Sequence, residues 1–353
     1  MTDTVRLGIA GCGQVVERLY LPVLNEMPDW TVEAACDPSK DRRRWISGQV
    51  TDAYVTEDLE TLLAKNKMDL VLIASPPETH VDLATRCLSG GCPVLLEKPF
   101  ALSVEGAEHV AQTAKTSGVP CFPGYNRRFL PSYQRLKELV GKIHHDDVTD
   151  IEMEFIIDPA SWQDEQTFRT EANEGANGLD DVGVHLLDLA QWLWDCRVND
   201  VRASIRDDGD QKDVYDIQLF MESGVRLMCH TGYARTYRER VSCRFGEQRE
   251  VAEPGYCSRS SWPMQLPTNI SRTVVKKVNG LRRRVFGLHS PIQTAVGHML
   301  KNIGEVLCSS DGRDAHDLPR SVDGCHNRRV VRAVRECLKN ERKPGVNDQE
   351  GDS

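Results

Sequence analysis

Gly11 and Gly13 constrain this chain most, because they separate a strand-like run from a helix-like one near the N-terminus. Val5-Arg6-Leu7-Gly8-Ile9-Ala10 is a short apolar strand, and Gln14 to Tyr20 has helical spacing. In such a unit the glycines let the backbone approach a pyrophosphate, whose charge rests on free N–H groups of the helix start at Gln14 and Val15. The next strand, Thr31 to Cys36, closes on Asp37. An acid roughly twenty residues past the glycines accepts hydrogen bonds from a ribose diol and repels a 2′-phosphate. The pattern calls for NAD in preference to NADP. Two features keep NADP open. The third small position is Val16, and the cations of Ser39 to Arg44 either meet a 2′-phosphate or form the exposed first turn of a helix.

Up to about residue 125 strands alternate with helices: Asp69 to Ser75, then Thr79 to Ser89, Cys92 to Leu96, and Ser103 to Ser117. Alternation of this kind specifies an α/β domain with a parallel, doubly wound sheet. Beyond about residue 145 the period becomes two, in Thr149–Ile157, Val201–Ile205, Val214–Met221, Val225–Gly232 and Tyr237–Phe245. These segments specify an α+β domain whose large, mostly antiparallel sheet is covered on one face. The expected division is 1–125 for the dinucleotide domain, 126–342 for a substrate domain and 343–353 for a flexible tail.

Composition fits a soluble enzyme of two cores. The chain has 353 residues, 40% hydrophobic and 27% charged, which is a globular balance. No apolar run approaches the about 18 residues of a membrane span, and the strand at Val5 leaves no room for a signal peptide, so the expected location is the cytoplasm. A net charge of −9 argues against nucleic acid as a partner. The twelve cysteines are scattered and lack C-x-x-C spacing, which favours reduced, mostly buried thiols over disulfides and calls for no metal.

The chemistry concentrates in two places. Glu97-Lys98-Pro99 ends the apolar run Cys92 to Leu96 and presents a lysine where open α/β sheets bind ligands. Further on, Asp180 and Asp181 precede an apolar helical pattern, Val182 to Leu193, and suit its N-cap. Asp181 and His185 are four apart, and Asp188 is three beyond, so all three share a helical face. A carboxylate beside an imidazole orients it and stabilises its protonated form, as a general base requires.

The set Gly8-x-x-Gly11-Cys12-Gly13, Glu97-Lys98-Pro99, Gly124-Tyr125-Asn126-Arg127-Arg128-Phe129 and Asp181-x-Gly183-x-His185-x-x-Asp188 resembles the Gfo/Idh/MocA oxidoreductases. The resemblance covers nearly the whole chain. It implies an N-terminal Rossmann domain, a C-terminal open sheet whose outer face makes homodimers or homotetramers, and Lys98, Asp181 and His185 as the catalytic group of a sugar or polyol dehydrogenase. It also implies cofactor contacts at Ser75, Pro76, His80, Glu97, Lys98 and Arg127. Substrate contacts would come from Lys98, Tyr125, Asn126, Arg128, Asp181 and His185.

For Lys98 to act as a neutral base its pKa must fall about three units from about 10.4, at a cost of about 4 kcal/mol, whereas His185 starts near 6.5. His185 is therefore the expected base, Asp181 its support, and Lys98 a cation donating to the reacting oxygen. Arg272 to Arg284 packs six cations into thirteen residues. That segment is either a solvated insertion or a patch for a diphosphate, which would indicate a nucleotide-sugar. Two alternatives to the dehydrogenase stay open: a non-catalytic NAD-binding sensor or co-repressor, and NAD-assisted glycoside cleavage through transient oxidation.

Overall fold

The computed structural model describes residues 4–65, 68–144, 147–158, 178–206, 213–254, 256–257, 290–309 and 317–341. The expected tail 343–353 and the basic segment Arg272–Arg284 lie outside the described residues. The first domain is a six-stranded sheet in the order β3-β2-β1-β4-β5-β6. Its strands are β1 Val5–Ala10, β2 Trp30–Cys36, β3 Tyr54–Thr56, β4 Leu70–Ile73, β5 Val94–Leu96 and β6 Cys121–Pro123. Every pairing is parallel. The order reverses between β1 and β4, so the crevice at their C-terminal ends is where an open sheet of this kind takes its ligand.

Strand side chains alternate between two cores. Leu7, Ile9, Leu70, Leu72 and Leu95 face one cluster, while Ala10, Val71, Ile73, Val94 and Leu96 face the other. Flanking helices are α1 Leu21–Leu24, entered through a π-helical turn Val16–Tyr20, then α2 Lys40–Ser47, α3 Leu59–Lys65, α4 His80–Ser89 and α5 Val104–Ser117. Ser39 caps α2 and Ser103 caps α5 through their side chains, each satisfying an otherwise orphaned N–H.

After α6 Pro131–Val140 the second domain begins with β7 Val148–Ile157, followed by a π-helical turn Leu179–Gly183 that leads into α7 Val184–Leu193. The remaining strands are β8 Val198–Arg206, β9 Asp213–Met221, β10 Arg226–Tyr233, β11 Arg238–Phe245, β12 Gln248–Glu253 and β13 Tyr256–Cys257. They form a seven-stranded sheet, β13-β12-β11-β7-β10-β9-β8. It is antiparallel except at its middle, where β7 and β10 run parallel. Its inner face, including Met153, Phe155, Ile217, Leu227 and Val241, joins the same core as α7. The opposite face is polar: Arg206 and His230 bond Asp216, and Arg240 pairs with Glu154.

Two C-terminal helices, α8 Pro291–Cys308 and α9 Ser321–Glu341, return to the first domain. Ala295, Val296 and Met299 of α8 share a core with Leu7 and Ile9. Gly324 of α9 lies on Phe100, where an added Cβ would stand 2.4 Å from the ring.

Buried ion pairs stitch these parts together, and they overturn two sequence expectations. Gly178, not an aspartate, is the N-cap residue of the Leu179–Gly183 turn, and it makes no side-chain cap. Asp180, 0% exposed, instead pairs with Arg328 and Arg335 of α9. Asp188 does not support His185; its oxygens accept from Arg128 Nε at 2.8 Å and Nη2 at 2.5 Å. Arg128 also pairs with Asp323 at 3.3 Å. Its guanidinium is thus committed to the seam between α7 and α9 rather than presented to a substrate, and Tyr125 is equally enclosed at 1% exposure.

Replacing Asp188 with alanine removes both close hydrogen bonds of a buried guanidinium and leaves it only Asp323 at 3.3 Å. Loss of one partner of such a pair costs about 3–5 kcal/mol. Urea unfolding of Asp188→Ala should show a loss of that size, and a change below about 1 kcal/mol, typical of a surface pair, would contradict this role.

Candidate active site

The site runs along the C-terminal ends of β1, β2, β4 and β5. Gly11 adopts φ +91°, and a Cβ there would stand 2.7 Å from Ser75 N. Only glycine fits both the left-handed backbone and the close approach. Around Gly13, by contrast, a Cβ would meet nothing within 4 Å, so the turn opens outward at the helix start where a pyrophosphate binds. Asp37 closes the next strand at 9% exposure. Its Oδ2 accepts from Cys12 N and its Oδ1 from Ser39 N, both at 2.8 Å. The two backbone donors fix the carboxylate at the end of β2 and leave further lone pairs for a ribose hydroxyl. These features fit a dinucleotide, with Gly11, Gly13, Gln14, Val15 and Asp37 as the residues that would hold it.

The loop after β4 links this half to the lysine. Ser75 Oγ and Thr79 Oγ1 lie 2.7 Å apart. His80, 1% exposed, places Nε2 at 2.9 Å from Ser75 O and Nδ1 at 2.9 Å from Pro99 O. Burial depresses its pKa, and a neutral ring, with a single N–H, donates to one of these two carbonyls and packs against the other, between this loop and the cis Lys98–Pro99 turn. His80 is thereby a strut beneath the cofactor crevice, while Pro76 is exposed beside it.

Glu97 differs from expectation. It is 6% exposed and turned into the protein, accepting from Tyr20 O–H at 2.5 Å and from Lys98 N at 3.1 Å. Burial pushes its pKa up. A carboxylate so enclosed sets the path of the backbone at Lys98 instead of meeting a cofactor. Tyr20, its partner, lies inside an apolar helix face and carries no local sequence signal.

Lys98 projects from the end of β5 and donates to Asp181, both to a carboxylate oxygen and, at 3.1 Å, to the backbone carbonyl. Asp181 Oδ2 accepts from Tyr233 O–H of β10 at 2.7 Å. Lys98 and Tyr233 thus occupy the Asp181 oxygens, and among the described residues no hydrogen bond joins Asp181 to His185. This corrects the expected Asp181–His185 pair: partners from two other elements outcompete the one four residues along. Tyr233 was missed because it sits at the end of a strand where nothing local marks it.

His185 is 5% exposed, and its ring tilts against Phe155 with centroids 5.8 Å apart. Its Nδ1 is buried without a hydrogen-bond partner among the described residues. Burial first, then the charges of Arg127 and Lys98, hold its pKa well below the ordinary histidine value. Arg127 lies over the Phe155 ring at 4.8 Å, donates to Glu239 Oε1 at 3.1 Å and to Asn126 Oδ1 at 2.9 Å. Asn126 and Arg127, expected at substrate and nicotinamide, are at 3% and 8% exposure and form the wall behind His185.

Among the described residues no group of three or more His, Cys, Asp or Glu gathers to hold a metal. Cys12, Cys36, Cys87, Cys92, Cys121, Cys229 and Cys325 are buried thiols outside any disulfide, and burial pushes Cys12 and Cys36 up to about 12. No described helix is long and apolar enough to cross a membrane.

A dinucleotide crevice whose far end holds a lysine–aspartate pair and a neutral histidine defines a two-domain nicotinamide-dependent oxidoreductase. Residues 5–125 match the profile described as an oxidoreductase family with an NAD-binding Rossmann fold, and residues 133–249 match the GFO/IDH/MocA C-terminal domain. The chain belongs to the Gfo/Idh/MocA oxidoreductase family. It is 24% identical over 350 residues to an inositol 2-dehydrogenase of Acidothermus cellulolyticus, covering 96% of this chain and 94% of that one. A scyllo-inositol 2-dehydrogenase (NADP(+)) of Bacillus subtilis is 30% identical over 139 residues, 39% of this chain and 42% of the other. Several other curated relatives are matched over only about half their length, at 44%, 54% and 56%. The fold superposes on scyllo-inositol dehydrogenase of Lactobacillus casei, solved with bound NAD(H) and scyllo-inositol. The TM-score is 0.73 at 19% identity, covering 96% of this chain and 98% of that one.

The depressed His185 pKa has a testable sign. An unfolded histidine titrates near 6.5, so below about pH 6.5 the unfolded chain binds a proton that the folded one refuses. Stability from this group therefore falls as pH drops from about 6.5 toward the lower folded value. A histidine-selective NMR titration should find the His185 ring neutral at pH 6, and a midpoint near 6.5 would contradict the burial and charge argument.

Proposed function

We propose that the chain is an NAD-dependent dehydrogenase that oxidises a hydroxyl-bearing carbon of a sugar, polyol or nucleotide-sugar. The observation that carries this reading is the convergence of Lys98, Asp181 and His185 at the C-terminal end of the parallel sheet, beside the Gly11–Asp37 crevice. When bound, the nicotinamide supplies the hydride acceptor.

The chain's own residues divide the remaining work. His185, kept neutral by its surroundings, takes the substrate hydroxyl proton through Nε2, because Nδ1 is enclosed. Lys98 donates a hydrogen bond to the reacting oxygen and stabilises alkoxide character as hydride leaves. Asp181, fixed by Tyr233, balances the lysine charge and sets its direction. The Glu239-bound guanidinium of Arg127 and the face of Phe155 exclude water behind the imidazole. Asp37 favours NAD, since a second anion at the ribose would be repelled.

A screen of free and nucleotide-linked sugars and polyols with NAD and NADP, read by reduced-nicotinamide absorbance, tests the reading. Net reduced cofactor supports the dehydrogenase, sugar release without it indicates glycoside cleavage, and cofactor binding with neither indicates a sensor. Loss of one preorganised donor costs about 100- to 1000-fold in rate. Lys98→Met should therefore lower kcat/KM by about that factor, and a change within about threefold would remove Lys98 from the reacting oxygen.

A further inference from the structure

The Glu17–Arg42 ion pair links the helix after the glycine turn to the segment that carries Asp37, and it bears on which dinucleotide is admitted, an inference that rests on the NAD reading above. Arg42 lies in the first turn of α2. Its N–H donates to Ser39 Oγ at 3.5 Å, and the Ser39 N–H donates to Asp37 Oδ1 at 2.8 Å. The arginine is thus built onto the loop that carries the ribose acid. Glu17 lies on the helix that follows the glycine turn, its N–H donating to Gly13 O at 3.1 Å. Arg42 Nη1 reaches Glu17 Oε2 at 3.0 Å, and its guanidinium carbon stands 5.8 Å from the centroid of the Trp45 ring. The pair therefore connects the glycine turn to the end of β2, the two segments between which a dinucleotide fold seats its ribose.

Neighbouring cations are committed elsewhere. Arg43 Nη1 donates to the carbonyls of Asp37 and Pro38 at 2.8 Å each, and its Nη2 pairs with Glu57 at 3.3 Å. Arg44 pairs with Asp41 at 3.1 Å within its own helix. Of the three arginines, Arg42 is the one whose partner comes from the glycine-turn helix.

We infer that Glu17 is a cofactor-specificity residue: by engaging Arg42 across the ribose position it keeps the guanidinium from a 2′-phosphate and adds a second carboxylate near Asp37, so that NADP is refused. An arginine near the acid that ends this strand is what accommodates the 2′-phosphate where NADP is used. Arginine–phosphate contacts are bidentate and charge-assisted. The Glu17–Arg42 pair is itself exposed, with side chains 43% and 35% accessible. Pairs of that kind contribute little to stability, so the latch can be opened without disturbing the fold.

The test needs no substrate. Titration calorimetry of the full chain with NAD and with NADP gives the ratio of the two dissociation constants. Glu17→Gln should shift that ratio toward NADP by about tenfold, the scale of one charge-assisted contact. Adding Arg42→Ala to Glu17→Gln should cancel the gain. A ratio within about twofold of wild type in Glu17→Gln, well below that scale, would overturn the proposal, as would a gain that survives Arg42→Ala. Wild-type protein that binds neither dinucleotide would overturn the NAD reading, and the latch with it.

Discussion

The contact on which the site depends is the ion pair between Lys98 and Asp181, which joins the end of a strand in one domain to a helical turn of the other. Neither group is fully open, at 21% and 15% side-chain exposure. Each would be costly to leave unpaired there. Because Asp181 is spent on the lysine, and Tyr233 holds its second oxygen, the charges that bear on His185 are those of Arg127 and Lys98, which disfavour a positive ring. In the proposed mechanism this one pairing gives the lysine its counter-ion and leaves the histidine without its nearest carboxylate. In the reverse arrangement, with Asp181 on His185, the carboxylate would raise the imidazole's pKa and leave the lysine without its counter-ion.

What could be read from the chain in advance follows from the range of each interaction. The glycine turn, Asp37 and the alternating strands are local patterns, and each recurs in the structure with its ends moved by a few residues. Strands β3 and β6 carry only three residues each, too few to show a period. The aspartates before α7 were misplaced because spacing along a helix ranks only nearby partners. Lys98 is 83 positions from Asp181, Tyr233 is 52, and Arg328 is 148 from Asp180. Arg128 shows the same limit: a cation in a polar loop looks available until the fold places Asp188 and Asp323 against it. The π-helical turn at Leu179–Gly183 adds a second difficulty, since rules of three and four assume 3.6 residues per turn.

Burial sorts the charged residues into two populations. Arg127, Arg128, Arg328, Asp180, Asp188 and Glu239 are enclosed and paired with one another within the second domain, around α7, β11 and α9. Arg42, Arg44, Arg332 and their partners stay on the surface, where an ion pair orients side chains more than it stabilises the fold.

Helix α9 has a consequence for how the chain is made. Gly324 rests on Phe100, Cys325 Sγ donates to Ala107 O at 3.2 Å, and Arg329 pairs with Glu108 at 2.7 Å. The outer layer of the nucleotide domain is therefore completed by residues more than two hundred positions downstream. During synthesis the sheet that carries Lys98 precedes α9, so the ring of Phe100 and the flank of α5 stay uncovered until α9 has emerged. The first domain depends on α9 for part of its outer cover, which ties the competence of the cofactor crevice to the intactness of that helix.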